Sequence, residues 1–226
     1  MKKTVITFLF VFVLFNAAMA QLSKDYQQVI SECFSKGDYV TAEKEMKNWI
    51  EEAGPDYRKL YLLYTNLGTI QRRAGKKEEA MDSYNRAAEL NPESVSVLSN
   101  RASLKRQLDD LEGSIEDYNL ALDLKKDDGL YMNRAYTYKL MGDTAAAVDD
   151  LKMAIKLNPE NYMAMTNLMN IKVARGAYEE ALKFYNNAIA DHPGEPLLYN
   201  NRADLLLKMK RFDEALADAK KDIKME

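Results

Sequence analysis

The residues in this chain that could do chemistry are few, and most stand alone. There is one histidine, His192, in the stretch DHPG, and one cysteine, Cys33. They lie far apart in sequence and cannot supply the three or four converging ligands of a zinc site. No G-x-S-x-G, phosphate-binding loop or H-E-x-x-H is present. The carboxylate pairs Asp109–Asp110 and Asp149–Asp150 read as solvated helix faces or ion-pair partners. No catalytic residue, metal ligand or cofactor is therefore expected. What recurs is a cation–anion spacing: Arg101 is followed sixteen residues on by Asp117, Arg134 by Asp150, and Arg202 by Asp218. Where leucine stands instead, at Leu67 and Leu168, the residue sixteen on is Ser83 or Phe184, and Val29 with Glu45 is the mixed case. A guanidinium and a carboxylate can form two parallel charged hydrogen bonds. The spacing predicts three structural clips, each joining two helices.

The arginines belong to a larger beat. Residues 97–102, 130–135 and 198–203 read VLSNRA, LYMNRA and LYNNRA. Asn66, Asn100, Asn133, Asn167 and Asn201 follow one another in steps of 34, 33, 34 and 34. Tyr84, Tyr118, Leu151, Tyr185 and Ala219 keep the same step, as do Ala87, Ala121, Ala154 and Ala188. With five prolines and nine glycines in 226 residues, the composition favours helix. Each period predicts two helices of about 14 residues, too short to be stable alone. Small residues let the pair approach, a large residue fills the gap toward the next pair, and Gly75, Gly142 and Gly176 mark the turns. Stacked pairs bury one continuous core. The six units are 23–56, 61–94, 95–127, 128–161, 162–195 and 196–226.

The stretch YTNLGTIQRRAGKKEEAMDSYNRAAELNP (64–92) resembles the tetratricopeptide repeat. Tyr64, Leu67, Gly68, Gly75, Ala80, Tyr84, Ala87 and Pro92 carry the resemblance, which extends over nearly all of residues 21–226. It implies an all-α fold, a right-handed α-solenoid of antiparallel helix pairs, and a non-enzymatic scaffold or adaptor that holds a protein or peptide on its concave face. The residues that would line this groove are Asn66, Arg72, Arg73, Asn100, Arg106, Asn133, Tyr136, Lys139, Asn167, Asn170, Asn201 and Asp204. The asparagine series either grips a peptide backbone or bridges adjacent helices. The carboxylate clamp by which some relatives bind chaperone tails needs a lysine where this chain has Gln27, Thr65, Ser99, Met132, Thr166 and Asn200, so it is absent. Ile30 and Met169 stand where a small residue is usual, and the helices there are expected to separate. In the last unit, Phe212, Ala215, Leu216, Ala219 and Ile223 share one face, and the unit is expected to cap itself.

Residues 1–20 form a signal-peptide pattern: a basic start, the apolar run TVITFLFVFVLF, and Ala18 and Ala20 as a cleavage site. The expectation is export, to the periplasm or beyond, with no stable membrane span once the leader is removed. Without Lys2 and Lys3 the net charge falls from −3 to about −5, which argues against nucleic acid as a partner. A single cysteine allows no internal disulfide, and Cys33 is expected in the core. Self-association into a homo-oligomer, through an end face or the first helix around Trp49, is the alternative to a monomeric adaptor; a glycan- or metabolite-binding role ranks behind both.

Overall fold

A computed structural model describes residues 25–222, so the signal-peptide pattern and Ile223 lie outside the described residues. The described residues form helices and turns, with no strand among them. The first helix, α1, runs over 25–36. It is followed by α2 (Tyr39–Ala53), α3 (Leu60–Arg73), α4 (Lys77–Leu90), α5 (Val95–Gln107) and α6 (Leu111–Leu124). Then come α7 (Asp128–Leu140), α8 (Thr144–Leu157), α9 (Tyr162–Ala174), α10 (Tyr178–Asp191), α11 (Pro196–Lys208) and α12 (Phe212–Asp222). Odd and even helices alternate through the six repeats. The chain divides into two compact units, one ending at Leu124 and the other beginning at Lys125. No described helix is long and apolar enough to cross a membrane.

Each repeat is closed by the same local chemistry. The odd helix ends on a left-handed residue, which frees the next amide to reach back to a carbonyl five positions earlier in the turn. Gly37, Gly75, Gly142 and Gly176 take that conformation, and so do Asp109 (φ 66°) and Lys210 (φ 60°) without being glycine. The reach-back bonds are Lys76 N to Gln71 O and Asp110 N to Lys105 O in the first unit, and Asp143 N to Tyr138 O and Arg211 N to Leu206 O in the second. Asp38 and Asp143 then cap the even helix that follows, and Asn161 caps α9 at the start of the next repeat, each accepting from a backbone N–H.

In the first unit, α3 packs on α4 and α5 on α6, with α3 also touching α5. Ala80, Ala87, Ala102 and Ala121 are fully buried between helices, with Tyr84 and Tyr118 filling the space beside them. Gly68 is where the approach is tightest: a Cβ there would lie 2.7 Å from Tyr84 Cε1. Repeat 1 is built differently, around Ile30, Met46 and Trp49, with Cys33 only partly buried at the edge of that cluster. In the second unit α7 packs closely on α8 and α11 on α12, whereas α9 and α10 touch far less. That loose pair carries Met169 where a small residue would let the axes close. The expected apolar face of α12 is only partly used. Ala215 is buried, but Phe212 and Leu216 are 63% and 55% exposed, because they point away from α11 and no described residue covers them.

Candidate functional site

The structure joins the three arginine–aspartate pairs, each across the two helices of one repeat. Arg101 donates from Nε and Nη2 to Asp117 at 2.8 and 2.7 Å, Arg134 does the same to Asp150 at 2.8 and 2.7 Å, and Arg202 to Asp218 at 2.7 Å twice. The aspartates are buried and the guanidinium groups half-buried. The hydrogen bonds to aspartate hold all three guanidinium groups above their ordinary pKa. Arg134 also lies over the rings of Tyr131 and Tyr138, and Arg202 over Tyr199, whereas Asp117 takes a second cation, Lys105, at 3.1 Å. Two further partners had escaped sequence reasoning. Arg101 Nη1 donates to Asn85 Oδ1 at 3.3 Å and Arg202 Nη1 to Asn186 Oδ1 at 2.7 Å. Each asparagine lies on the preceding repeat, sixteen residues before its arginine, so the same spacing read backwards would have found them.

The groove residues divide by unit. In the first, Asn66 and Arg73 are exposed on α3, and Arg72 and Asn100 are half-exposed. Arg106 turns back toward Tyr118, its Nη1 3.5 Å from the phenol oxygen. In the second unit Tyr136 and Lys139 on α7, Asn167 and Asn170 on α9, and Asp204 on α11 are exposed, while Asn133 is half-buried. Asn201 bridges helices: its amide donates to Thr166 Oγ1 on α9 at 3.3 Å and to Leu197 O at 2.7 Å. The asparagines thus serve different ends, with Asn66 and Asn167 presented to solvent and Asn201 tied into the packing.

Between neighbouring odd helices the floor of this face is set by one residue per repeat. Tyr84 and Tyr185 are essentially inaccessible there, and Tyr118 is as deeply buried beside α5. Tyr84 OH meets Thr69 Oγ1 at 3.0 Å, and burial pushes the Tyr185 phenol up to about 12. Repeats 1 and 4 carry Met46 and Leu151 instead. A cleft of about 260 Å³ opens beside Met46, bounded by Ile30, Trp49, Asn66 and Ile70. A much shallower one, about 20 Å³, lies over Leu151 between Tyr136, Lys139 and Asn167.

A second polar centre joins repeats 1 and 2. Glu43 is 5% exposed and accepts from Lys47 and Lys76 at 2.7 Å and from Gln71 at 3.3 Å; Ser83 in turn donates to Gln71 at 2.6 Å. Burial pushes the Glu43 carboxyl up, but the hydrogen bonds from Lys47, Lys76 and Gln71 outweigh it and hold the group at about 2. The sequence signal was an acid in a column otherwise filled by Met81, Ile115, Val148 and Leu182. No group of three or more metal-ligating side chains converges among the described residues.

Family models described as tetratricopeptide repeat match residues 61–94 and 130–161, 95–128, and 172–217, together more than half of the chain. The crystal structure of a tetratricopeptide repeat protein from Parabacteroides merdae is 30% identical, with 91% of this chain and 80% of that one covered and a TM-score of 0.73. BBSome complex member BBS4 from Bos taurus is 27% identical over 119 residues, 53% of this chain and 23% of its own length. The Hsp70-Hsp90 organizing protein from Triticum aestivum is 26% identical over 187 residues, 66% of this chain and 32% of its own. The chain thus spans between about a quarter and a third of these two curated relatives.

Proposed function

The chain belongs to the tetratricopeptide repeat family, and from that premise we propose that it is a scaffold holding a protein or peptide partner along its odd-numbered helices, without bond-making chemistry. The observation that carries this is the exposure of amide, cationic and aromatic side chains on that face. Asn66 and Arg73 present it in the first unit, and Tyr136, Lys139 and Asn167 in the second, while the even helices supply the buried Tyr84, Tyr118 and Tyr185 and the clip aspartates. An amide both donates and accepts, so it can pair with a peptide backbone, and exposed arginine and lysine favour an acidic segment. Similarity to a protein named as an organiser of Hsp70 and Hsp90 supports the class of activity. The absence of lysine at Gln27, Thr65, Ser99, Met132, Thr166 and Asn200 argues that the partner is not a chaperone tail held by the carboxylate clamp.

The test uses the chain as bait against extract of its source cells, beside a variant with Arg72, Arg73 and Lys139 changed to Glu. The expected result is a saturable partner that the variant loses at least tenfold while its helical circular dichroism is unchanged. Equal capture by both would sink the reading. The basic start, apolar run and Ala18/Ala20 pattern support work outside the cytoplasm. N-terminal sequencing of the chain recovered from cell fractions should begin at Gln21, and a cytoplasmic chain with an intact leader would refute it.

A further inference from the structure

This face departs from its own pattern at Met46 and at Leu151, and the cleft beside Met46 is the roomier of the two. In repeats 2 and 5 a tyrosine ring fills the space between neighbouring odd helices, and Tyr84 and Tyr185 leave at most 1% of their surface exposed. In repeat 1 the ring is missing, and about 260 Å³ stands open above Ile30, Met46, Trp49 and Ile70. The volume has ample room for a large side chain, and its floor is apolar. A polar group reaching its apolar floor would lose hydration that Ile30, Met46, Trp49 and Ile70 do not replace, whereas an apolar one would gain from leaving water. Asn66, exposed on α3, brings an amide to the lining, which can donate to and accept from a peptide backbone. Arg73 follows Asn66 by two turns on the same side of α3, about 10 Å away at 1.5 Å per residue. It is exposed and in no ion pair among the described residues. An extended peptide covers that distance in about three residues.

We propose that this cleft anchors one bulky apolar side chain of the bound peptide, and that the peptide carries an acidic residue about three positions from the anchor, paired with Arg73. The inference rests on the groove reading above and gives it a specificity. The missing ring is the vacancy, and the sibling repeats show what kind of group fits it. The cleft also holds a built-in reporter. Trp49 is the only tryptophan in the chain, lines the cleft, and stacks on Tyr26 with ring centroids 5.7 Å apart.

The probe is a set of fluorescein-labelled nonapeptides with Leu at the centre and Glu three residues away, compared with versions carrying Ala for Leu or Lys for Glu. Binding is read by anisotropy, and Trp49 emission is followed with unlabelled peptide. The expected result is tighter binding of the Leu–Glu peptide by about tenfold or more over the Ala version, since a buried leucine is worth about 1.5–3 kcal/mol. Trp49 emission should change on saturation with the Leu peptide. Met46→Tyr, which installs the sibling repeats' ring, should abolish the preference. Ser31→Phe, a substitution at the exposed mouth that leaves the core untouched, should do the same if Met46→Tyr fails to fold. Binding that ignores the central residue, unchanged Trp49 emission at saturation, or full affinity in both variants would overturn the anchor while leaving the groove standing. No binding by any peptide of the set overturns the anchor too, and the groove is then judged by the capture experiment alone.

Discussion

Removing Asp117 should cost this protein more than removing both ends of its clip. Asp117 is 2% exposed and receives two charged hydrogen bonds from Arg101, at 2.8 and 2.7 Å, with Lys105 at 3.1 Å. In Asp117→Ser, two cations in a half-buried site lose their counter-charge, and Arg101 keeps only the 3.3 Å bond to Asn85. Breaking one side of a buried pair typically costs about 3–5 kcal/mol, and the residual access of Arg101 to water favours the lower end. Arg101→Leu leaves Asp117 with Lys105 alone, for a cost of about 2–3 kcal/mol. Repeat 2 shows that the site can be built without charge, because Leu67 and Ser83 stand there and Ser83 donates to Gln71. The triple change Arg101→Leu, Lys105→Gln and Asp117→Ser copies that solution and should return to within about 1 kcal/mol of the parent. Urea unfolding followed by circular dichroism measures each variant, with constant slope as the check on two-state behaviour, which repeat arrays can lose. The double-mutant cycle of Arg101→Leu with Asp117→Ser should give a coupling of about 2–3 kcal/mol. A coupling below about 0.5 kcal/mol would refute the clip as a stabilising unit and reduce it to a surface contact.

Two further outcomes follow from the polar centre and from the turns. Glu43 is held at about 2, below its ordinary 4.5, so the stability it brings is fully present above pH 4.5 and is lost as pH falls through 2. The shift corresponds to about 3 kcal/mol, and urea midpoints for Glu43→Gln should lack that acid-dependent increment between pH 4.5 and 2; parallel curves for the two proteins would contradict it. Lys210 adopts φ 60° at the turn position that Gly75, Gly142 and Gly176 fill elsewhere. Lys210→Gly should therefore stabilise the chain by about 1 kcal/mol and raise Tm by roughly 2–4 °C, and an unchanged or lower Tm would mean that the turn carries no strain.

The helix pairs were legible because the sequence states them six times. Each alanine of the series Ala87, Ala121, Ala154 and Ala188 is buried where the 34-residue step puts it. The clip partners were legible as covariation, since Asp117, Asp150 and Asp218 accompany arginine whereas Ser83 and Phe184 accompany leucine. Less visible was anything that depends on a single repeat. Glu43 looks like a surface acid until α3 supplies Gln71 and the turn after it supplies Lys76. Asp109 and Lys210 carry no mark of the left-handed backbone they adopt, because the end of the odd helix imposes it. The asparagine column gave one letter for two roles, and only the partner on the neighbouring helix, Thr166 for Asn201, separates them. Phe212 and Leu216 share a helical face with Ala215, but periodicity alone cannot say whether a neighbour covers that face.

Two of the departures from the pattern fall together. Repeat 1 holds both the missing ring and the misplaced acid, three residues apart on α2. Met46 stands where repeat 2 has Tyr84, which packs between α3 and α5, and a cleft opens where packing contacts would have been. Glu43, one turn earlier, ties the same helix to Gln71 and to Lys76 of repeat 2 through charged hydrogen bonds. A cavity of this kind in a repeat interface weakens it by an amount that scales with its volume, and a repeat array depends on every interface between neighbours. The buried carboxylate supplies a joint that needs no ring, so the two departures belong together: one keeps repeats 1 and 2 fastened while the other leaves the cleft free. The pairing has a consequence that the variants can show. Met46→Tyr should lessen the dependence of the array on Glu43, so that Glu43→Gln costs less in the Met46→Tyr background than in the parent. Equal costs in both backgrounds would mean that the cleft and the carboxylate arose independently.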